Sequence, residues 1–319
     1  MEERIIEIFR KSKSDFVSGE QISEMLKVSR TAVWKHIEKL REMGYGFDAV
    51  PHLGYRLRKS PDKLYPFEIY PCLKTRIIGK NILYYNELDS TNITAYELAH
   101  KIKEEGTMIL AEKQNKGKGR LSRHWSSPRA GGIYMSVILK PEITPFQSPI
   151  VTLMAAVSLA EAIRDTSLAQ ASIKWPNDII VNDKKIAGIL TEMEAESDRI
   201  KFIILGIGVN VNTVLSELPK TASSIAHITG SPVSRQALLV ALIERLEHNY
   251  KIMNRSGFSD IRLKWKNLSS TLGQRVRANC MRKIIEGTAV DIDSDGALKI
   301  RMDNGFHEKV FAGDLVVLR

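Results

Sequence analysis

Apolar residues in the first part of the chain recur three and four positions apart, the spacing of a helix that buries one face. Three segments carry this pattern and predict helices over 2–10, 21–26 and 31–41. Two short apolar runs that flank the turn Pro51–Gly54 then predict a hairpin, with strands at 47–50 and 55–58. Three helices followed by a hairpin is the order of a winged helix-turn-helix, which we assign to residues 1–62.

The middle of the chain alternates between strand-like and helical patterns, after a linker marked by Pro61, Pro66 and Pro71. Apolar runs predict strands at 81–86, 107–112, 132–140, 171–175, 179–181, 185–192 and 202–211. Helical periodicity predicts helices at 92–104, 149–164 and 234–254. This alternation predicts a mixed α/β domain over residues 78–266.

The last part of the chain changes to short alternating runs. Asp295-Gly296 and Asn304-Gly305 are dipeptides that favour tight hairpin turns. These features predict a small SH3-like β-barrel of about five strands over residues 268–319. The chain as a whole is therefore predicted to be an α+β protein with three domains.

Composition and charge narrow the class of protein. The chain has 319 residues, 43% of them hydrophobic, and a net charge of +10, which suits a soluble protein with nucleic-acid or phosphate-bearing partners. A basic protein without such a partner has the same balance. Cys72 and Cys280 are too isolated for a disulfide framework or a zinc site. We expect a cytoplasmic protein without a membrane partner, because the N-terminus lacks a signal-peptide pattern and the apolar segment Ile150–Ile163 is short enough to be a buried helix.

The third predicted helix and the hairpin carry the pattern of a DNA-binding surface. Between positions 27 and 41, five cations accompany a single acidic residue, Glu38. A basic helix of this kind suits docking in a major groove, and a cation on the hairpin would reach a phosphate beside it. The predicted DNA contacts are Ser29, Arg30, Thr31, Trp34, Lys35 and Arg56. Two alternatives stay open: a helical module that binds protein, and a Trp34 that packs against the hairpin.

A glycine-rich basic loop follows the second predicted strand of the middle domain. Residues 114–125 read QNKGKGRLSRHW, and the stretch from Lys113 to Arg129 holds six cations and no acidic residue. Glycines allow the backbone to approach a ligand and to turn its N–H groups toward an anion. The spacing matches neither a Walker loop nor a Rossmann fingerprint. We predict an anion site here, with a mobile surface loop or an RNA-binding strip as the alternatives.

Two lysines lie where neighbouring strands are predicted. Lys174 begins the segment KWPND, Lys185 lies in the segment KKIAGIL, and Asn182-Asp183 predicts a hairpin turn between the segments. If the two lysines lie side by side on paired strands, an anion between them relieves their repulsion. Two exposed lysines at strand ends are the alternative interpretation.

These segments together resemble the biotin protein ligases. The resemblance rests on Asp89–Asn92, on the loop 114–125, on segments 174–178 and 184–190, and on the strand Gly206–Asn212, which reads GIGVNVN. The winged helix in front resembles that of the bifunctional members, and the likeness covers the whole chain in order. Any one motif alone is weak, but five in the right order are specific.

The resemblance implies an activity and its partners. Biotin and ATP, with Mg²⁺, would form biotinyl-5′-AMP, and the biotin would pass to a lysine of a biotin carboxyl carrier protein. The chain would also repress biotin genes on operator DNA, as a homodimer when biotinyl-AMP is bound. Pairing of two central sheets edge to edge is the expected dimer contact.

The resemblance also implies the site residues. Lys185 would neutralise the carboxylate and the α-phosphate, Arg120 would hold the loop over the adenylate, and Asp178 would orient or deprotonate the acceptor lysine. The biotin contacts would be Ser90, Thr91, Asn92, Gln114, Gly117, Lys118, Gly119, Arg120, Lys185 and Gly188. The adenylate contacts would be Lys118, Arg120, Arg123, Trp125, Lys174, Asn177, Lys185 and Asn210. No direct metal ligand is assigned; Asn177, Asp178 and Asn210 are the candidates for holding phosphates or the metal.

Two positions depart from the family pattern. Lys118 stands where the loop usually has arginine, and Ser122 stands where it usually has glycine, so retention of the adenylate could be weaker. The Arg-Arg, Gly-Gly-Gly and His-Asp signature of lipoate ligases is missing. Three alternatives stay open: a biotin sensor without ligase activity, a lipoate or octanoate ligase, and a ligase whose winged helix no longer binds an operator.

Overall fold

A computed structural model describes residues 1–12, 15–280, 283–311 and 313–318. Contacts within the chain divide it into two compact units, Met1–Lys63 and Leu64–Arg319. The first unit has nearly the bounds predicted for the winged helix. The finer division of the rest at 78–266 and 268–319 stays a prediction.

The first unit is a three-helix bundle with a hairpin. Its elements are α1 Glu2–Lys11, α2 Gly19–Leu26, α3 Arg30–Glu42, β1 Gly46–Val50 and β2 Gly54–Lys59. The predicted apolar stripes meet in its core, where Ile5, Ile22 and Ile37 are fully buried. Ser18 and Gln21 form a capping box at the start of α2, and Lys27 ends that helix in the left-handed conformation with φ 55°. The predicted winged helix-turn-helix is confirmed.

The second unit is built on a mixed seven-stranded sheet with helices on both faces. Its strands are β3 Ile82–Tyr85, β4 Met108–Ala111, β5 Gly132–Leu139, β6 Ser172–Lys174, β7 Asp178–Val181, β8 Lys184–Ala195 and β9 Ile200–Asn210. Its helices are α4 Pro66–Ile69, α5 Thr91–Ala99, α6 Pro149–Thr166, α7 Ile225–Thr229, α8 Arg235–Ser256 and α9 Ser259–Leu268. The strand order is β3-β4-β5-β9-β8-β7-β6, with β3 and β4 parallel and the other neighbours antiparallel.

The two faces of this sheet have different neighbours. The long helices α6 and α8 pack together over one face, on the main apolar core. On the other face, the short helix α5 packs through Ala95 and Ala99 against Phe202 and Ile204 of β9. The short α5 leaves part of this second face uncovered by helix, beside Gly206 and Gly208.

Helix α5 ends five residues earlier than the predicted 92–104. The chain has to return to the sheet, where the Gly106 N–H donates to the carbonyl of Ile138 and Gly106 takes φ +81°. The helical pattern of the sequence carries no information about this return, because it depends on a strand far away along the chain.

Helix α6 confirms the prediction of a buried helix around Ile150–Ile163. The segment Pro145–Thr166 is long and apolar enough to cross a membrane, but 67% of its most apolar window is buried inside the fold. An apolar helix of this length is therefore accounted for by the core of the second unit.

The end of the chain forms a five-stranded antiparallel sheet. Its strands are β10 Arg275–Cys280, β11 Lys283–Ile292, β12 Leu298–Arg301, β13 His307–Val310 and β14 Asp314–Val317, in the order β13-β12-β11-β10-β14. Gly296 and Gly305 both take φ +83°, which confirms the two predicted glycine turns. The predicted β-rich domain is confirmed.

Candidate active site

A row of four residues crosses the open part of the sheet. Lys174 pairs with Asp178, Asp178 pairs with Gly188, and Gly188 pairs with Gly208, on β6, β7, β8 and β9. Directly opposed residues point to the same face of a sheet. The strand pairing therefore brings three separate sequence motifs onto one surface, with two charged side chains beside two positions that have none.

A cavity of about 470 Å³ lies over this row. It gathers nearly every predicted ligand contact. Its walls include Ser90, Thr91, Asn92, Gln114, Lys118, Gly119, Arg120, Arg123, Trp125, Lys174, Asn177, Asp178, Lys185, Gly188 and Asn210. Gly117 lies beside it and accepts a hydrogen bond from the N–H of Trp125 at 2.8 Å. A Cβ at Gly117 would lie 2.3 Å from the Trp125 carbonyl oxygen, so this glycine permits a close backbone crossing.

One end of the cavity is lined by a buried network of neutral polar groups. Gln114 Oε1 accepts from the N–H of Thr91 at 2.8 Å, and Gln114 Nε2 donates to Ser127 Oγ at 2.8 Å. Ser136 Oγ lies 2.7 Å from Asn92 Oδ1. The Thr91 hydroxyl group donates a hydrogen bond to Gln114 Oε1 at 3.1 Å. Such an end suits a neutral, polar group of a ligand.

The opposite end of the cavity is charged. Lys185 Nζ lies 2.6 Å from Asp178 Oδ1, and about a third of the Lys185 side chain is exposed to the cavity and solvent. The backbone of Lys185 is held on its outer side, where its N–H donates to the carbonyl of Thr221 at 3.2 Å. Lys185 is therefore fixed at its backbone while its ammonium group stays accessible to an anion.

The predicted pairing of the strands that carry Lys174 and Lys185 is wrong. Strand β7 lies between β6 and β8, and its Asp178 is the strand partner of Lys174 and the ion-pair partner of Lys185. The carboxylate of Asp178 offsets part of the repulsion that was expected to demand an anion. The Asn182-Asp183 turn between β7 and β8 is confirmed, with φ 48° and 61°.

The basic loop 114–125, which we call the flap, folds back on itself over the cavity. The N–H of Gly119 donates to the carbonyl of Arg123 at 2.7 Å. Arg120 reaches across to Asn177 Oδ1 at 3.0 Å and to the carbonyl of Gly313 at 3.2 Å. Arg120 thus connects the flap to the turn between β6 and β7 and to the residue that precedes β14.

Trp125 closes the flap onto the glycines of the sheet. A Cβ at Gly208 would lie 2.5 Å from Trp125 Nε1, and a Cβ at Gly188 would lie 3.1 Å from Trp125 Cζ3. The space above Gly188, which was predicted to contact biotin, is occupied here by the indole and by Lys185. Trp125 is half-buried and lines the cavity, unlike the fully buried Trp265.

Oxygen atoms suited to a metal are few. Asn210 Oδ1 is buried and finds no hydrogen-bond partner within the described part of the chain, while Asn210 Nδ2 donates to the carbonyl of Ser223 at 3.2 Å. Among the described residues no group of three or more His, Cys, Asp or Glu side chains could hold a metal ion by itself. Mg²⁺ takes one or two protein oxygens together with phosphate oxygens and water, and Asn210 and Asp178 fit that requirement.

Several site residues were missed by the sequence interpretation. Ser127 and Ser136 gave no signal, because an isolated serine in a strand or loop is unremarkable before the fold is known. Gly206 and Gly208 were recognised as part of a motif but received no role. The cavity wall also includes Pro219, Thr221, Gly313, Leu315 and Val316. Leu315 and Val316 belong to β14 of the C-terminal sheet, and Gly313 directly precedes that strand.

The first unit presents most of the predicted DNA contacts on one helix. Ser29 caps α3 by accepting from the N–H of Ala32 at 3.1 Å. Arg30, Thr31, Trp34 and Lys35 are exposed, and 52% of the Trp34 surface is accessible, which favours a surface role over packing. Arg56 lies over the ring of Phe16 and 2.7 Å from Asp48 Oδ2. Its contact with a DNA phosphate stays a prediction.

Comparisons with known proteins agree with this geometry. Residues 85–210 match the Biotin/lipoate A/B protein ligase family, residues 2–56 match an HTH domain, and residues 271–318 match the Biotin protein ligase C terminal domain. The Bifunctional ligase/repressor BirA of Bacillus subtilis is 40% identical over 98% of this chain and 97% of its own length. Its Escherichia coli counterpart is 29% identical over 92% of this chain and 90% of its own length. A biotin protein ligase from Aquifex aeolicus, solved in complex with biotin and ATP, matches 75% of this chain and 99% of its own with 28% identity and a TM-score of 0.65.

Proposed function

The chain belongs to the family of bifunctional biotin protein ligases and repressors, and we propose that its cavity forms biotinyl-5′-AMP and passes the biotin to a lysine of a biotin carboxyl carrier protein. The observation that carries this is the placement of Lys185 between a neutral polar end and a basic flap of one cavity. The chain acts as a cytoplasmic enzyme, and its winged helix represses biotin genes.

Biotin fits the cavity in one orientation. Its ring system is neutral and polar, so it belongs at the end lined by Ser90, Thr91 and Gln114, where hydroxyl and amide groups are buried. Its carboxylate then extends toward Lys185 at the charged end. The indole of Trp125 has to shift to admit the acyl chain or the adenine, because it now fills the space above Gly188.

Adenylation brings two anions together. A carboxylate oxygen of biotin attacks the α-phosphorus of ATP, and the bond from that phosphorus to the bridging oxygen breaks, which releases pyrophosphate. Two unit charges about 4 Å apart repel by roughly 4 kcal/mol at an effective dielectric constant of 20, equivalent to about three decades of rate. Lys185 removes this barrier by exchanging its partner Asp178 for the carboxylate and the phosphate.

Mg²⁺ bound with ATP supplies charge that stabilises the departing pyrophosphate. Asn210 offers its buried Oδ1, and Asp178 is left with a free carboxylate when Lys185 turns to the ligands. Lys174 and Arg123 also line the cavity and add positive charge for the phosphates. Arg120, bonded to Asn177 and Gly313, keeps the flap over the adenylate and limits access of water.

Transfer needs a neutral amine from the carrier protein. The ε-amine nitrogen of the acceptor lysine attacks the acyl carbon of the adenylate, the bond from that carbon to the phosphate oxygen breaks, and AMP leaves. Asp178 is the carboxylate in the row that can accept the proton that the amine loses. This role is compatible with its contact to Lys185, because formation of the adenylate has already drawn Lys185 to the phosphate.

The repressor function follows from dimerisation. Beyond Ile189, β8 continues to Ala195 without a further strand on the side opposite β9, as far as the structure describes the chain. An open strand edge can pair with its copy across a two-fold axis. Adenylate favours the dimer, and two winged helices then bind a palindromic operator. Sedimentation with and without biotin and ATP tests this step; a species that stays monomeric in both contradicts it.

The ligase proposal is tested by two measurements on the full chain. With biotin, ATP and an isolated carrier domain, the carrier should gain the mass of one biotinyl group, and lipoate or octanoate should not replace biotin. Lys185→Met should slow biotin-dependent exchange of labelled pyrophosphate into ATP by about three decades. The control is Lys184→Met, an exposed neighbour whose Nζ bonds the carbonyl of Lys220. Near-normal exchange in Lys185→Met would remove Lys185 from its role.

A further inference from the structure

An acidic side chain lies behind the polar end of the cavity and has no role in the scheme above. Glu192 is on β8, and about a third of its side chain is exposed. Its Oε2 accepts a hydrogen bond from Asn92 Nδ2 at 2.7 Å, and its Oε1 lies 3.7 Å from Lys118 Nζ. Glu192 thus contacts one residue of the cavity floor and one residue of the flap.

Asn92 connects Glu192 to the buried network. Its amide lies over Gly206 of β9, where a Cβ would be 2.0 Å from Asn92 Oδ1. From there Oδ1 is 2.7 Å from Ser136 Oγ on β5, and Nδ2 reaches Glu192 on β8. The amide therefore bridges two strands across a third. A carboxylate can only accept, so Glu192 fixes which end of the Asn92 amide faces Ser136.

The orientation of the Asn92 amide determines the hydrogen bonding of the neighbouring groups that are proposed to contact biotin. With Asn92 Oδ1 turned toward it, the Ser136 hydroxyl group donates toward two acceptors, Asn92 Oδ1 at 2.7 Å and Thr91 Oγ1 at 2.8 Å. Thr91 in turn is fixed on Gln114. A reversed Asn92 amide would present N–H groups to Ser136 and disturb this order of donors and acceptors.

The second contact of Glu192 acts on the flap. Lys118 stands near the start of the flap, at the position where the family has arginine, and Glu192 is the acidic group beside it. Their separation of 3.7 Å makes a solvent-screened ion pair that favours a flap lying close to the sheet. The same carboxylate therefore acts on Asn92 at the polar end of the cavity and on Lys118 of the flap.

We propose that Glu192 is a positioning residue for biotin, which orders the Asn92–Ser136–Thr91–Gln114 network and holds Lys118 of the flap near it. This inference rests on the proposed function, since it assigns the polar end of the cavity to biotin. Glu192 does not line the cavity, so its effect is on the binding of biotin and on the flap rather than on the chemical step.

The test compares Glu192 with Glu194, two residues along the same strand and on the same face. Glu194 also bonds α5, by accepting from Tyr96 Oη at 2.9 Å, but it lies away from the cavity. Glu192→Ala should weaken biotin binding in calorimetry and raise KM for biotin by about tenfold, with kcat changed less than about threefold. Glu194→Gln should leave both constants unchanged. Glu192→Gln, which keeps an acceptor for Asn92, should recover part of the loss.

The flap provides a second readout. Trypsin cleavage after Lys116, Lys118 or Arg120 reports how often the flap opens, and saturating biotin should protect wild type and Glu194→Gln. Glu192→Ala and Glu192→Gln should both be cut faster before biotin is added, because both lose the charge beside Lys118. In Lys118→Met, this cleavage at Lys116 and Arg120 should no longer respond to Glu192→Gln.

The outcomes separate this inference from the ligase assignment. If wild type and Glu194→Gln fail to bind biotin, the proposed function itself is wrong. If both bind biotin and the two Glu192 variants match them within twofold in affinity and in cleavage rate, Glu192 has no positioning role. If Glu192→Ala does not fold, as judged by its thermal midpoint, the comparison of Glu192→Gln with Glu194→Gln decides the question by cleavage rate.

Discussion

Gly188 lies directly opposite Gly208 on two antiparallel strands, and the indole of Trp125 rests on the flat surface that the pair creates. Each glycine belongs to a different sequence motif. That both of them make room for Trp125 becomes clear only when β8 pairs with β9. Lys185 completes the arrangement, with its Nζ 5.4 Å from the centre of the Trp125 ring. A cation near an aromatic face is weakly attracted to it.

Adding a methyl group under Trp125 should disable the flap in a graded way. In Gly208→Ala the new Cβ would lie 2.5 Å from Trp125 Nε1, whereas in Gly188→Ala it would lie 3.1 Å from Trp125 Cζ3. Overpacking of this kind costs about 1–3 kcal/mol, so Gly208→Ala should lose roughly ten- to hundredfold in biotin-dependent pyrophosphate exchange and Gly188→Ala less. Equal activities of the two variants would show that the contact does not constrain the flap.

A second prediction concerns backbone strain in the flap. Leu121 and Ser122 are consecutive non-glycine residues in the left-handed region, with φ 53° and 58°. Each costs about 1 kcal/mol relative to glycine. Ser122→Gly should therefore favour the observed flap conformation and slow release of biotinyl-AMP by about two- to fivefold, measured by dilution of preformed complex into excess unlabelled biotin and ATP.

Leu121→Gly serves as the companion variant. It relieves the same kind of strain at the next position, where the side chain is largely exposed, so it should slow adenylate release to a similar degree. Faster release in Ser122→Gly would mean that the added freedom of the open flap outweighs the relief of strain.

Much of the fold was predictable because periodicity reports which face of an element is buried. The hairpin turn at Asn182-Asp183 and the buried helix α6 followed from local chemistry alone. The positions of Lys174 and Lys185 did not, because the order of strands in a sheet depends on pairings that no local pattern specifies. The same limit explains why Ser136 and Glu192 gave no signal: their roles arise from β5, β8 and α5 meeting across Gly206.

On the DNA-binding surface, we expect loss of a charged side chain and loss of an aromatic side chain to change the salt dependence of DNA affinity differently. Lys35→Ala should weaken binding to a promoter fragment of the biotin genes and lower the slope of log affinity against log salt by about one, because it removes one phosphate contact. Trp34→Ala should weaken binding with little change in slope. Fluorescence anisotropy over a salt series, with biotin and ATP present, measures both.

The matched control for these variants lies elsewhere in the same unit. Lys11→Ala removes an exposed cation on α1 that pairs with Glu7 at 2.7 Å, so it should leave affinity and slope unchanged. Transfer of biotin to the carrier should be normal in all three variants. A Lys35→Ala variant with the wild-type slope would exclude a phosphate contact for that lysine.

The first unit should lose stability in acid through Glu2. Burial acts to raise the pKa of this carboxyl, but hydrogen bonds from Lys39, from the backbone and from His36 outweigh it and lower the pKa to about 2. A pKa that falls on folding stabilises the fold above the ordinary value near 4.3, and the stabilisation disappears as the pH drops from there toward 2. Glu2→Gln should therefore destabilise the unit by about 1 kcal/mol at neutral pH and by almost nothing near pH 2.

Hydrogen exchange measured on peptides from α1 and α3 follows this unit within the full chain. Wild type and Glu2→Gln are compared at the same pH, so the intrinsic exchange rates cancel and only the difference in opening remains. Glu3→Gln is the control, because Glu3 is exposed on the same turn of α1. If the effect of Glu2→Gln were constant from pH 7 to pH 2, its charge would contribute nothing and the loss would come from hydrogen-bond geometry alone.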